Sequence, residues 1–340
     1  MRDQSGTKYS GTFRGGPSNT LLYLLYGSGS HYDEAVFSVL SALHHIGADR
    51  ERYRVVVYTD HPAPFAELPV HTHVVTADAI RDWSGPYHVR HRRKIFGIQD
   101  ALRRFGGRVL YCDSDTYFTK HPKTAFGRIG PGATVMHIGE YRLADPCARG
   151  IARALIGEDF RSRAGQPWQI GLRSTMFNAG VVGVDAADAW VLDEVIHLCD
   201  QIDAVGARRP PPPLNEPLTN LHPEQFAFSV CLRRCTELRQ SYDVVTHYWL
   251  PPPRTAFREH LIRVLHKSGI QPQEQQFREL AGHAPHLVVR PFQWGRENIG
   301  RRIRTQTWAF LGRMALVIGM KEPLKQALYR LAMLVGFMDP

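Results

Sequence analysis

The sequence predicts an α/β protein built on a doubly wound sheet, and three observations lead there. Short apolar runs rich in β-branched and aromatic residues recur at Leu21 to Tyr26, Tyr53 to Tyr58 and Arg108 to Phe118. Between the first two, Val36, Phe37, Leu40, Leu43 and Ile46 repeat at helical spacing. A glycine-rich turn, Gly27-Ser28-Gly29-Ser30, joins strand to helix. Strand, glycine-rich turn, helix, strand is the opening unit of such a sheet.

Taken in order, the first 19 residues are polar, glycine-rich and aperiodic and read as a tail, with the fold starting at Leu21. Ser30 with Asp33 forms a capping pair for a helix over Tyr32 to Ile46, and Gly47 ends it. The turn ahead of this helix lacks the third glycine of a dinucleotide fingerprint, yet it lets a backbone approach a ligand. Val70 to Val75 makes a third strand. A helix over Val89 to Phe105 places Ile95, Ile98, Leu102 and Phe105 on one face, flanked by Lys94, with the neighbouring arginines solvated. Lys94 therefore either snorkels over that face or reaches a phosphate beyond the sheet edge.

After Gly106-Gly107 the strand from Arg108 runs into Asp113-Ser114-Asp115. Alternate side chains of an extended segment leave one face, so the two carboxylates point together, about 7 Å apart at the backbone. That is a clamp for a hard cation; an Asx-rich turn is the simpler alternative. Ligands of open parallel sheets collect beyond the carboxyl ends of the strands, where this pair is expected. Ala133 to His137 reads as a strand, and residues 141–173 receive no assignment. Ser174 to Asp185 is largely apolar around Asn178, which is either a bulge residue beside Gly180 or a ligand-facing amide. Asp185 caps a helix to about Ile202, and Pro210 to Pro213 marks an extended surface loop. Pro223 starts another helix with Glu224 and Gln225 in its first turn. A last strand, Val244 to Trp249, carries His247 and runs into three prolines.

Composition bounds the function. At 340 residues, with 43% hydrophobic and 22% charged residues, the chain folds as one large domain or two ordinary ones. The five cysteines are odd in number and scattered, which suits a reducing compartment better than a disulfide framework. With neither a signal peptide nor an apolar run of spanning length, the expected location is cytoplasmic. A net charge of +10 asks for an anionic partner. No nucleic-acid-binding motif accompanies the basic clusters, which argues against nucleic acid. Residues 296–340 hold eight Lys/Arg against three Asp/Glu, with apolar residues at helical spacing. They form basic amphipathic helices that either lie on the anionic inner face of a membrane or fold back on the domain.

The order Asp113-Ser114-Asp115, Phe177-Asn178-Ala179-Gly180-Val181, Glu224-Gln225, Thr246-His247-Tyr248-Trp249 resembles the GT-A-type nucleotide-sugar glycosyltransferases, with the closest likeness to glycosyltransferase family 8 and its relatives. The likeness covers roughly residues 20–255 and implies a GT-A fold. This is Rossmann-like, with a mixed, mainly parallel sheet, here followed by a basic helical extension over 256–340. It implies that Asp113, Asp115 and His247 hold Mn²⁺ (or Mg²⁺) against the diphosphate of a UDP-sugar. It places Lys94 and Ala179 on the donor, and Asn178, Glu224 and Gln225 beside the reacting sugar. The acceptor would be a hydroxyl of a glycan or a lipid-linked glycan, with a retaining outcome. The family's acidic residue after the first strand is missing, so Tyr26 and Asp60 are assigned to the nucleotide. The family's phosphate-binding lysine after the late histidine is also missing, and Arg254 is the available cation. Independently of the likeness, two carboxylates and an imidazole suit Mn²⁺ or Mg²⁺ and leave positions for phosphate oxygens.

Three rivals compete. A dehalogenase-type phosphatase also ends a strand in Asp-x-Asp but needs Thr or Val where Tyr117 stands. A sugar-phosphate nucleotidyltransferase needs a glycine-rich, arginine-bearing signature after the first strand, which is absent here. A non-catalytic module that keeps the fold and binds a membrane or protein through its basic helices is the third.

Overall fold

The computed structural model describes residues 18–208, 221–249, 251–266 and 273–285. Residues 1–17 of the expected tail, the polyproline loop at 210–213 and the basic segment 296–340 lie outside the described residues, and Asn19, counted with the tail, already belongs to the first strand.

The chain opens with β1 (Asn19–Leu25), α1 (His31–Ile46), β2 (Tyr53–Thr59), β3 (His71–Val74) and α2 (Ala77–Ser84). There follow α3 (Arg93–Phe105), β4 (Arg108–Cys112), β5 (Thr116–Phe118), α4 (Lys123–Phe126) and β6 (Ala133–Met136). The region without a sequence assignment contributes β7 (Gly139–Arg142) and α5 (Arg149–Leu155). Then come β8 (Thr175–Phe177), β9 (Val181–Asp185), α6 (Val191–Arg208), α7 (Pro223–Cys235), β10 (Glu237–Gln240) and β11 (Val245–His247). Helices α8 (Pro251–Leu265) and α9 (Gln273–Ala281) complete the described chain.

The main sheet has seven strands in the order β10-β6-β9-β4-β1-β2-β3. Only β9 runs against its neighbours, so the sheet is mixed and mainly parallel, as expected. Being central, β1 is apolar on both faces. Leu21, Tyr23 and Leu25 pack with Ala35, Val39 and Ala42 of α1, whereas Leu22 packs with Ile95 and Ile98 of α3. Two short antiparallel pairs, β5 with β11 and β7 with β8, stand beside the sheet. A third apolar group, including Phe37, Tyr117, Phe257, Leu261 and Leu280, seats α8 and α9 on the outer side of α1. Among the described residues no helix is long and apolar enough to cross a membrane.

Several local expectations change. Gly47 ends α1 at a φ of 54°, as its missing side chain allows. Ser30, however, makes no side-chain cap, because its backbone is helical (φ −66°, ψ −6°) rather than extended as a capping residue requires. Asp33 instead accepts from His266 Nε2 at 2.8 Å. The helix expected from Val89 begins as a single tight turn, Arg90–Arg92, and becomes α-helical at Arg93. Arg92 is not solvated. It is buried against α6, where its guanidinium makes two bonds to Asp200, at 2.5 and 2.9 Å. The prolines after β11 start α8 rather than extending the strand, since the first turn of a helix needs no N–H donor from them.

Candidate functional site

Chain direction assembles the site. Because β9 runs antiparallel to β4, its first residue pairs with the last residue of β4, Val181 with Cys112. The segments flanking that pair, Asp113 to Asp115 and Asn178 to Gly180, therefore emerge side by side, and Asp113 N–H donates to Gly180 O at 2.8 Å. The β5–β11 pair sets Thr116 opposite His247, and Tyr248 N–H donates to Asp115 O at 3.0 Å. Asp113-Ser114-Asp115 is thus not the extended end of one strand. It is a turn between β4 and β5, tied by Thr116 Oγ1 to Asp113 O at 2.7 Å. The turn and the clamp turn out to be the same feature: Asp113, Asp115 and His247 offer ligand atoms within 4.8 Å of one another.

Every carboxylate oxygen of the pair already faces a donor or a ring nitrogen. Asp113 accepts from Tyr111 Oη at 2.6 Å and from Lys94 Nζ at 3.1 Å. Lys94, nearly inaccessible, also donates to Ala179 O at 2.8 Å. Asp115 lies 2.5 Å from Arg254 Nη1 and 3.1 Å from His247 Nε2. Burial alone would raise the Asp115 carboxyl, but His247 and Arg254 outweigh it and hold it well below the usual carboxylate range. Arg254 and Arg258 each grip Glu34 of α1 with two bonds, at 2.8 and 2.9 Å respectively, and Glu34 is fully buried. Arg254, the substitute cation of the sequence reading, reaches the site from α8.

His247 is oriented from behind. Asn178 Oδ1 accepts from Gly180 N–H at 2.8 Å, which fixes its amide, and lies 2.8 Å from His247 Nδ1. Facing an acceptor, Nδ1 must carry a hydrogen. Nε2 faces Asp115 Oδ1 at 3.1 Å, an arrangement that is favourable with positive charge between the two atoms, supplied either by a proton that makes the ring an imidazolium or by a metal ion that replaces that proton. A ring nitrogen bared toward carboxylates, with its other nitrogen held by an amide, is how histidine ligates metal. The residues present therefore fit a divalent cation. Gly180 belongs to the same fit, because a Cβ there would fall 2.2 Å from His247 Nδ1. His137, stacked edgewise on His247 at 5.6 Å, is buried and its imidazole is pushed down to about 3, leaving it neutral.

The residues expected beside the sugar separate. Gln225 Oε1 accepts from Ala179 N–H at 3.1 Å, and its Nε2 donates to Glu140 at 2.8 Å. Asn178 Nδ2 donates to the other Glu140 oxygen at 2.9 Å. Glu224 makes none of these bonds; it is buried, and its Oε2 has no partner among the described residues. Of the residues expected at the nucleotide, Tyr26 lies under the Arg93 guanidinium at 4.2 Å and donates from Oη to Arg90 O. Asp60 accepts from Gly27 N–H at 2.8 Å and Tyr32 Oη at 2.5 Å, at the same sheet edge. Glu140 escaped the sequence reading, although it follows the buried Ile138 by two residues, which in an extended segment puts it on the same inward face. A second acidic group on α6, Cys199, Asp200 and Asp203, is partly neutralised by Arg92.

No family model and no curated protein matches the chain. Among solved structures it is similar to mouse xyloside xylosyltransferase 1 in its apo form, with 15% identity over 66% of this chain and 85% of that chain and a TM-score of 0.41.

Proposed function

We propose that the chain is a metal-dependent, nucleotide-sugar-using glycosyltransferase. The observation that carries this is the joining of Asp113, Asp115 and His247 at the carboxyl edge of the sheet, with the His247 ring fixed by Asn178. The order of motifs in the sequence supports the same reading. Asp113, Asp115 and His247 would hold Mn²⁺ or Mg²⁺, which supplies a Lewis acid for a nucleoside-diphosphate leaving group.

The chain's own groups do the rest. Lys94 sits beside the carboxylates, where a departing diphosphate gains charge, and would stabilise that charge more in the transition state than in the ground state. Arg254 offers a second cation at the same place. Gln225 and Asn178 wall the side where the sugar is expected, while Tyr26, Arg93 and Asp60 line the nucleotide side. In the retaining outcome the bond from the anomeric carbon to phosphate breaks as the acceptor oxygen bonds from the same face. The acceptor proton passes to the departing phosphate oxygen. Glu224, withdrawn from the network, is not assigned the proton. The base is read as uracil and the acceptor as a hydroxyl of a glycan or lipid-linked glycan. Residues 296–340 would hold the enzyme on an anionic surface, so their removal should abolish co-flotation with anionic liposomes.

The deciding experiment is a thermal-shift and turnover screen of UDP-, GDP- and CDP-sugars with and without Mn²⁺. A stabilising, Mn²⁺-dependent response to one base together with sugar release is expected, and Asp115→Ala should lose both. Full activity of Asp115→Ala in excess chelator would sink the metal assignment. Metal binding without turnover on any donor would favour the non-catalytic module.

A further inference from the structure

Glu140 is a buried carboxylate to which no described Lys or Arg is paired. Its two oxygens each accept one side-chain amide, from Asn178 at 2.9 Å and from Gln225 at 2.8 Å. Neither amide is free to turn. Gly180 N–H requires the oxygen of Asn178 on its side, and Ala179 N–H requires the oxygen of Gln225 on its side. Both NH₂ groups are therefore driven toward position 140, which must be an acceptor twice over. Among neutral and charged side chains of this length, only a carboxylate meets that demand; glutamine would set one NH₂ against another.

We infer that Glu140 is a positioning residue of the cation site, acting through Asn178 to hold His247 with Nδ1 protonated and Nε2 turned to Asp115. The inference rests on the proposed metal reading and extends it by one shell. The His247 ring meets Asn178 Oδ1 at 2.8 Å, and that oxygen stays in place only while the other end of the amide has its acceptor. The placement follows from a break in the ladder: β7 pairs antiparallel with β8, Gly139 opposite Phe177 and Tyr141 opposite Met176, so Glu140 is the extra residue between them and its carboxylate meets the amides of Asn178 and Gln225.

The geometry supplies its own control. In Glu140→Gln one of the two amides faces a donor. Combining it with Gln225→Glu restores every bond by exchanging the two side chains. The amide now at position 140 donates to the carboxylate now at position 225 and still accepts from Asn178, while that carboxylate accepts from Ala179 N–H. The test uses the full chain. Mn²⁺ affinity is measured by electron paramagnetic resonance, and His247 tautomer by ¹⁵N nuclear magnetic resonance of the metal-free protein at alkaline pH, where the ring is neutral, its signals identified with His247→Gln. Glu140→Gln should weaken Mn²⁺ binding about tenfold or more and mix the His247 tautomers. The double variant should return both to wild-type behaviour. Unchanged affinity and an unchanged tautomer in Glu140→Gln would overturn the inference, as would a double variant no better than the single one. If Glu140→Gln does not fold, the double variant decides alone: native tautomer and binding support the inference, and loss of either overturns it. Failure of the wild type to bind Mn²⁺ would remove the metal reading, while the tautomer measurement would still decide the role of Glu140.

Discussion

Gly180 shows how little room the site leaves. Any larger residue brings a Cβ to 2.2 Å from His247 Nδ1 and 2.9 Å from Asn178 Oδ1. Gly180→Ala should therefore push the imidazole off the Asp113–Asp115 turn. It should cost roughly 1–3 kcal/mol of stability by overpacking and more in Mn²⁺ affinity, read by urea denaturation and metal titration; native metal affinity would contradict the packing argument. Asp115 sets a pH dependence at the same scale. Its carboxyl is held low in the folded protein by His247 and Arg254 despite burial. Its contribution to stability is then full above the unfolded carboxyl value, about 3.9, and is lost as pH falls toward the lower folded value. Arg254→Met should shift acid unfolding to higher pH in a circular-dichroism titration, and an unmoved midpoint would mean that Arg254 does not hold the charge. Much of the site was legible from residue type and order, as Lys94, Asp113, Asp115, Asn178 and His247 do converge. What could not be read was direction. Asn178 spends its amide on His247 and Glu140, and the Glu224-Gln225 pair divides, because a first helical turn points consecutive side chains to different faces.

At the scale of elements, strands were read well where both faces are apolar and poorly where strands are short and half polar. β4 and β9 are continuous apolar runs, whereas β7, Gly-Glu-Tyr-Arg, has no alternation to find and was passed over together with α5. α8 begins at Pro251, five residues before the helical extension expected from residue 256, because prolines can occupy a helix start. Helix α6 carries a further prediction. Asp203 faces Asp200 one turn back, with Glu224 nearby, and burial followed by the Asp200 charge pushes its carboxyl up to about 7. The folded protein thus keeps a proton that the unfolded chain releases near its ordinary 3.8. Between those values the folded state binds more protons, so stability falls as pH rises. Asp203→Asn, neutral throughout, should remove that slope and be more stable than the wild type at pH 8, by at most about 4 kcal/mol before solvent screening reduces it, while matching it near pH 4. Parallel urea midpoints across that range would show Asp203 to be ionised throughout, with its charge compensated by Arg92.

At the scale of the molecule, the one strand that runs against the others of the main sheet decides where the candidate site assembles. β9 brings the Asn178 segment to the carboxyl edge of β4, and β11, pairing outside the main sheet, brings His247 from more than a hundred residues away in sequence. Helix α8 then closes over α1, with Arg254 joining the buried Glu34 to Asp115. Lys94 of α3, the Asn178 segment, His247 and Arg254 thus meet around one pair of carboxylates, so ligands bound there should stabilise the fold as a whole. At about a hundred times its dissociation constant, a ligand that binds only the folded state adds about 2.7 kcal/mol, and in a domain of this size each kcal/mol raises Tm by roughly 2–4 °C. Mn²⁺ with UDP should therefore raise Tm by several degrees in a single cooperative transition. Glu34→Gln, which takes from Arg254 and Arg258 the buried carboxylate they share and leaves Arg254 only Asp115, should lower Tm in the absence of ligands, by an amount corresponding to roughly 3–5 kcal/mol. It should also shrink the ligand-induced rise, because Arg254 is then no longer held at Asp115. A full ligand response in Glu34→Gln would show that α8 is docked independently of the site, and the link between the two would have to be abandoned.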